Sequence, residues 1–156
     1  MEALRRVIRY LKGSVGEGIF LPTQNDLQLY GYCDSDWGAC PLPRRLLTSY
    51  FVTLGSSPIS WKIKKQATAS ISSAKAEYWA MVVATSELVW VFTFLASLSI
   101  FHTQPTKLFY DSQAGLHIAK NSIFHERTKH IEIDCHFVRE KLALGLITFT
   151  HINSQH

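Results

Sequence analysis

The chain of 156 residues is 47% hydrophobic, which is enough apolar content for one packed core at the usual size of a single domain. Its 16 Lys and Arg residues against 12 Asp and Glu give a formal net charge of +4, which favours a polyanionic partner over a polycationic one. The three cysteines lack a short paired spacing and indicate neither a disulfide framework nor a structural zinc site. The N-terminal stretch MEALRRVIRYLKG resembles neither a signal peptide nor a membrane span, so an intracellular, cytoplasmic location is expected.

The first predicted element is an amphipathic helix at residues 2–12, followed by Gly13 as a C-terminal stop. Its apolar positions recur at helical spacing and are Leu4, Val7, Ile8 and Leu11. Turn signals PTQND, GACPLPRR and GSSP then separate short apolar segments. These segments predict strands at residues 18–21, 26–33, 49–54 and 59–62. Such short connections favour an antiparallel meander.

From residue 73 the apolar residues recur at helical spacing, which predicts one long helix at residues 73–97. Its apolar stripe contains one acid, Glu77. A helix of this length can return the chain to a parallel strand, and KLFYD at residues 107–111 is the apolar run expected there. The remaining predicted elements are helices at residues 112–120 and 129–142 and a strand at residues 146–152. The pattern predicts a single α/β domain over residues 1–156, without repeats or a linker.

Three acids fall where these elements end or begin. Asp34 and Asp111 close two predicted strands, and Glu77 lies early in the long helix. If the strands are neighbours, the three carboxylates meet at one end of the sheet, where ligands bind in such folds. The alternative is that each acid is an ordinary solvated residue at a strand end or helix start, and spacing alone favours this simpler interpretation.

The chemistry of three clustered carboxylates depends on a cation. Such groups repel one another unless a cation neutralises them, and hard oxygen ligands select Mg²⁺ or Mn²⁺ over zinc. Two such ions about 4 Å apart can activate water and stabilise the leaving oxygen of a phosphodiester. The acids, if they meet, therefore indicate hydrolysis of a nucleic-acid backbone.

A series of motifs adds more specific information. In chain order they are RVIRYLKGS, GYCDSDWGAC, RR followed by TSYFVTLG, ISWKIKKQATASISSAKAEYWAM, FYDSQAGLHIAKN and FHERTKHIEIDCHFVREKL. In this order the sequence resembles the ribonuclease H domain of copia-type LTR retrotransposon polyproteins over nearly its whole length. The resemblance implies a ribonuclease H-like fold with a mixed five-stranded sheet and flanking helices. It also implies cleavage of the RNA strand of an RNA/DNA hybrid with two Mg²⁺ or Mn²⁺ ions.

The resemblance assigns the family's acids residue by residue. The first falls on Asp34, the second on Glu77 in SSAKAEY and the third on Asp111 in YDSQ, and all three are expected to bind metal. The fourth is expected in an AD motif that begins a closing C-terminal helix, beyond the final THINSQH, and this helix is therefore expected to be missing from the sequence. Asp36 is assigned to turn chemistry, and Asp134 belongs to the preceding helix in the family.

The resemblance also implies contacts to substrate and to a neighbouring domain. Two basic clusters are expected to hold phosphates of the hybrid, and they consist of Lys62, Lys64, Lys65, Arg127 and Lys129. Gln113 is expected to reach the minor groove, where 2′-hydroxyls distinguish RNA from DNA. The alternative for the basic clusters is an ordinary solvated charged face. Residues 1–13 are expected to connect from the reverse transcriptase region of the same polyprotein.

Two other classes of function remain open at this level. One is a degenerate, non-catalytic remnant that only binds nucleic acid or a protein partner. The other is a zinc-stabilised interaction module built on His125, His130, Cys135 and His136. The spacing of those four residues fits no common zinc pattern, so packing or surface roles are preferred for them.

Overall fold

The protein is described by a computed structural model that covers residues 2–36, 47–65, 73–111 and 129–152. The helices are α1 (Glu2–Gly13), α2 (Ser73–Ser97) and α3 (Lys129–Ala143). The strands are β1 (Leu29–Asp36), β2 (Leu47–Leu54), β3 (Ser57–Lys65), β4 (Thr106–Tyr110) and β5 (Ile147–His151). The helix predicted at residues 112–120 lies outside the described residues.

The strands form one five-stranded sheet in the order β3-β2-β1-β4-β5. β1 pairs antiparallel with β2, and β2 pairs antiparallel with β3, which is the predicted meander. β4 pairs parallel with β1, and β5 pairs parallel with β4. The mixed five-stranded sheet with flanking helices is therefore confirmed.

The connection between β2 and β3 is a tight turn that one side chain holds in place. Gly55 adopts a φ of 57°, and Asn25 fills the space beside it, so a Cβ at this position would collide with the Asn25 side chain. Asn25 Nδ2 donates to the Leu54 carbonyl at 2.6 Å, and its Oδ1 accepts from the Ser56 amide at 2.9 Å. The segment that precedes β1 thus fixes the turn between the next two strands.

The hydrophobic core lies between the sheet and α2. The apolar stripe of α2 is buried as predicted, and its fully or nearly fully buried members are Met81, Ala84, Leu88, Val91 and Leu95. Gly31 in β1 allows this close approach, since a Cβ there would lie 2.8 Å from Leu88 Cδ1. By length and composition the segment Ala76–Ser97 would also pass for a membrane span, as many core helices do.

The end of α3 sets the direction of β5. Gly145 has a φ of 67°, its amide donates to the Leu142 carbonyl at 3.0 Å, and the Leu146 amide donates to the Lys141 carbonyl at 3.1 Å. This pair of bonds is a Schellman motif, which stops the helix and reverses the chain. The reversal leads into β5, parallel to β4. Gly145 as the stop between these elements is confirmed.

One predicted strand was wrong. Residues 18–21 form no strand, and Ile19, Phe20 and Leu21 are exposed. The physical reason is pairing, because β1 is already bonded to β2 on one edge and to β4 on the other. The segment therefore has no strand edge of β1 to join, and its β-branched and aromatic residues alone cannot form a strand.

α1 forms as predicted but buries none of its residues. Leu4 and Val7 remain 58% and 54% exposed. Ile8 and Leu11, which complete the apolar stripe of α1, are exposed as well.

The contact between Gly31 and Leu88 gives a stability prediction. Gly31→Ala adds a methyl group where no space exists, so the free energy of unfolding should fall by about 1–3 kcal/mol. Urea denaturation would measure this change. Gly18→Ala is the matched control, because a Cβ there meets nothing within 4 Å, and it should leave stability nearly unchanged. Equal stability of the two variants would show that the core relaxes freely around Leu88.

Candidate functional site

Two of the three predicted acids lie at the same end of neighbouring parallel strands. β1 and β4 are in register with Tyr32 opposite Phe109, so two residues further along Asp34 and Asp111 come side by side. Alternation along a strand places Asp34 on the same face as Tyr32. Both aspartates are exposed, and both line one cavity of about 650 Å³ on that face.

This cavity is an apolar groove over the open face of the sheet, and it is called the groove below. Its apolar lining comes from four strands and two flanking segments and includes Ile19, Tyr32, Phe51, Trp61, Ile63, Phe109 and Ile152. Tyr32 stacks on Phe109 with ring centroids 5.0 Å apart and tilts against Phe51 at 6.2 Å. Among the described lining residues, Asp34 and Asp111 are the charged side chains.

Cys33 lies beside the two aspartates in the sheet, and the pKa of its thiol responds to their negative charge. Its side chain turns to the opposite face of the sheet and is buried in the core. Burial, together with the negative charges of Asp34 and Asp111, raises the pKa of the Cys33 thiol to about 12. Both carboxylates therefore act on one buried atom, and a cation at this end of the groove would be favoured by their combined field.

Glu77, the third predicted acid, stands on α2 and is partly exposed. α2 packs against the face of the sheet that carries Gly31 and Cys33, whereas Asp34 points to the groove on the other face. Within residues 2–36, 47–65, 73–111 and 129–152, no three His, Cys, Asp or Glu side chains form a group able to hold a metal ion. Asp34 and Asp111 thus line the groove together, and the role predicted for Glu77 stays a prediction.

The fit of this site to a divalent ion is partial. Two carboxylates on adjacent strand ends supply the hard oxygen donors that Mg²⁺ and Mn²⁺ prefer. The two aspartates would therefore hold such an ion, and one or two protein carboxylates are a common ligand set for Mg²⁺. A second ion would need ligands beyond this pair.

Three of the predicted phosphate-binding lysines lie on β3, at the edge of the described sheet. Lys62, Lys64 and Lys65 are exposed, and Lys62 and Lys64 alternate to the opposite face from Trp61 and Ile63. The lysines therefore border the sheet beside the groove and do not line it. Gln113 and Arg127 lie outside the described residues. Lys129 begins α3, but its side chain is outside the described part as well.

Sequence reasoning missed two features of the site. His151 closes β5 opposite Tyr110, and its Nε2 lies 2.9 Å from the main-chain oxygen of Asp111. The aromatic lining of the groove was also missed, although alternation in YGYCD gives a signal for it by placing Tyr30, Tyr32 and Asp34 on one face. The contacts of Tyr32 with Phe51 of β2 and Phe109 of β4 depend on the register between the strands, which cannot be read from the sequence.

Sequence comparison places the chain among much longer relatives. It is 37% identical over 154 residues to the retrovirus-related Pol polyprotein from transposon RE1 of Arabidopsis thaliana, which covers 99% of this chain and 10% of that protein. The corresponding polyprotein from transposon RE2 is 38% identical over 152 residues, covering 97% and 10%. The chain thus spans about a tenth of the length of these curated relatives. No protein-family model matches the sequence.

Comparison with solved structures identifies the fold. The chain is similar to LC11 ribonuclease H1 isolated from compost, with a TM-score of 0.57 over 83% of this chain and 86% of that one, at 15% identity. The same compost enzyme in complex with an RNA/DNA hybrid gives a TM-score of 0.56 over 82% and 87%, at 12% identity. At these identities the similarity establishes the fold alone.

The position of Cys33 gives a test of the aspartate pair. In a chain with Cys40→Ser and Cys135→Ser, folded Cys33 should resist alkylation at about pH 8, because the thiolate is the reactive form. Asp34→Asn removes a negative charge, so the pKa of Cys33 should fall below about 12. The pH dependence of alkylation measures this shift. Asp26→Asn, in the segment before β1, is the control, and equal midpoints in both variants would contradict the placement of Asp34.

Proposed function

Since the chain belongs to the copia-type, retrovirus-related Pol polyproteins and has a ribonuclease H fold, we propose that it cleaves the RNA strand of an RNA/DNA hybrid. The observation that carries the proposal is the pairing of Asp34 with Asp111 at adjacent parallel strand ends. Ligand sites in open α/β sheets lie outside such strand ends. The hybrid bound to the compost enzyme of the same fold supports the choice of substrate.

The proposed reaction needs a divalent ion at the aspartate pair. Mg²⁺ or Mn²⁺ held there would supply an activated water and neutralise charge on the phosphodiester. Asp34 and Asp111 would bind the ion and fix its position, since Asp34 stands on β1 and Asp111 directly follows the last paired residue of β4. Glu77 is proposed as the third ligand on the strength of the resemblance. To act so, it must join the aspartates around the end of β1.

The proposed substrate contacts rest on charge. The hybrid is a polyanion, and cationic side chains that neutralise its phosphates supply binding without reading sequence. Lys62, Lys64 and Lys65 present three such groups within four residues of one strand. The reverse transcriptase region of the same polyprotein is the proposed partner in cis, with α1 as the connecting helix.

A second candidate function is a non-catalytic remnant that binds the hybrid without cutting it. The observation in its favour is that, among the described residues, no group of three His, Cys, Asp or Glu side chains able to hold a metal ion is found. A site of two carboxylates attracts a cation but holds it with fewer ligands, which lowers occupancy. The two functions share the binding surface and differ in the dependence on metal.

A cleavage assay separates them. We expect a hybrid with a labelled RNA strand to be cut in the presence of Mg²⁺ or Mn²⁺, and Asp34→Asn and Asp111→Asn each to slow cutting by about 100-fold or more. A metal contributes several kcal/mol to the transition state, and each 1.36 kcal/mol is tenfold in rate. Asp26→Asn should cut at the wild-type rate. A chain that binds hybrid but never cuts it, and binds equally well after Asp34→Asn, is the remnant.

The lysines give a separate prediction about binding. Lys62→Gln and Lys64→Gln should each weaken binding of the hybrid and reduce the slope of log affinity against log salt by about one unit. Fluorescence anisotropy at several salt concentrations measures both quantities. Lys141→Gln is the matched control, because Lys141 pairs with Glu140 at 3.0 Å on α3. Unchanged slopes in the β3 variants would make these lysines an ordinary solvated face.

A further inference from the structure

A polar cluster joins the outer strand of the described sheet to the middle of α2. Ser60 of β3 donates from its hydroxyl to a carboxylate oxygen of Glu87 at 2.6 Å, and both side chains are partly buried. The third member is Tyr50 of β2, which is buried in the core. The three residues are called the Glu87 cluster below. A hydroxyl that donates to a carboxylate over so short a distance makes a charge-assisted hydrogen bond, which is stronger than a neutral one.

The pKa of the Tyr50 hydroxyl locates it beside the other two members of the cluster. Burial is the largest cause of its shift and raises the pKa. The hydrogen bond with Ser60 lowers this pKa, whereas the negative charge of Glu87 and the hydrogen bond with its carboxylate raise it. Glu87 therefore interacts with hydroxyl groups from two adjacent strands and holds both against one helix.

β3 gains more from such a contact than an inner strand does. It is the outer strand of the described sheet and hydrogen-bonds along one edge, to β2. The register also shifts between Val52 and Thr53 of β2, which leaves Ile59 as the extra residue of a β-bulge directly before Ser60. A bulge bends its strand and changes the face to which later residues point. The hydrogen bond to Glu87 fixes β3 at the first residue after this bulge.

Two of the predicted phosphate-binding lysines share a face with Ser60. Side chains alternate along a strand, so Lys62 and Lys64 point to the side of the sheet on which Ser60 meets α2. Both lysines are exposed. A contact that fixes Ser60 therefore also fixes the direction of the two lysines that follow it.

Register places one of these lysines level with the aspartate pair. Lys64 pairs with Thr48 of β2. Thr48 pairs in turn with Ser35, which follows Asp34 in β1. Adjacent strands are about 4.8 Å apart, so the main chain of Lys64 lies roughly 10 Å from that of Ser35. A duplex that crosses this end of the sheet meets side chains of both faces, and its phosphates next to the aspartate pair come close to β3.

We propose that Ser60 and Glu87 are positioning residues for the nucleic acid, because their hydrogen bond ties β3 to α2 and holds the two lysines in place for phosphates of the hybrid. This role rests on the proposed function, since it concerns how a substrate-binding surface of that site is held. Glu87 is itself an anion, and its charge alone would weaken the binding of a polyanion. Positioning has the opposite effect on affinity, so the two contributions can be separated.

Binding of the hybrid by the full chain tests the proposal. Ser60→Ala removes the hydroxyl without changing the net charge, and it should weaken the affinity severalfold because the lysines lose their fixed direction. Ser60→Thr keeps a hydroxyl at the same place and should bind as the unsubstituted chain does. Ser86→Ala is the matched control, since it removes a hydroxyl that bonds within α2, to the Val82 carbonyl at 3.0 Å. Fluorescence anisotropy measures each affinity, and urea denaturation verifies that each variant is folded.

Glu87→Ala gives a sharper result, because charge and positioning predict opposite changes. Loss of a negative charge near a phosphate-binding surface strengthens binding, whereas loss of the hydrogen bond to Ser60 weakens it. We expect weaker binding, similar to that of Ser60→Ala, and no further loss when the two substitutions are combined. Glu17→Ala is the control for charge, since Glu17 is an exposed acid in the segment after α1. It should bind at least as tightly as the unsubstituted chain.

The lysines show whether the Glu87 cluster acts through them. In a chain that already carries Lys62→Gln and Lys64→Gln, Ser60→Ala should no longer change the affinity, although its effect on stability should remain. In the cleavage assay, Ser60→Ala should raise KM and leave kcat nearly unchanged, because it removes binding that the ground state and the transition state share.

The outcomes distinguish this role from the function on which it rests. Equal affinities of the unsubstituted chain and Ser60→Ala, or tighter binding by Glu87→Ala, would overturn the positioning role and leave the nuclease proposal intact. A loss of affinity in Ser60→Ala that persists in the Lys62→Gln and Lys64→Gln background would overturn it too, because the cluster would then act on the fold alone. A chain that binds the hybrid without cutting it still reports on the cluster through affinity. An unsubstituted chain that binds no hybrid would refute the proposed function and the positioning role together.

Discussion

The parallel pairing of β1 with β4 is the constraint on which the rest of the structure depends. Two parallel strands cannot be joined by a tight turn. After β1 the chain runs through β2 and β3, and α2 then carries it back across the sheet to β4. α2 approaches β1 closely because Gly31 has no side chain beneath Leu88. The same pairing sets Tyr32 opposite Phe109 and hence Asp34 beside Asp111. The register between β1 and β4 therefore positions the core, the groove and the aspartate pair together.

Much of this arrangement could be predicted from the spacing of apolar residues and from the residues that mark turns and helix ends. The 3.6-residue period of α2 and its buried stripe, the meander of β1 to β3 and the stop at Gly145 follow from local sequence signals, and the structure confirms them. The segment at residues 18–21 was predicted wrongly, because its composition suits a strand but strand formation needs a free edge. Edges are decided by distant segments, here β2 and β4.

For the site, too, local sequence signals predicted part of the arrangement. That two acids close two strands is visible in the sequence, and their proximity follows once the strands are neighbours. The side of the sheet that α2 covers is not visible, because it depends on which alternate residues of β1 face the helix. In the structure Cys33 faces α2 and Asp34 faces the groove. His151 was missed for a related reason, since only the β4–β5 pairing brings it to Asp111.

β3 is the outer strand of the described sheet, and its composition has a consequence for solubility. It spans nine residues, and Trp61 and Ile63 on its groove face are exposed, as is Ile59. A long edge strand with apolar side chains is a template for pairing with another chain and for aggregation. The lysines that alternate with these residues place charge along the same edge, and charged side chains are a common protection against such pairing. Whatever they bind, the lysines of β3 also disfavour the pairing of this edge with another chain.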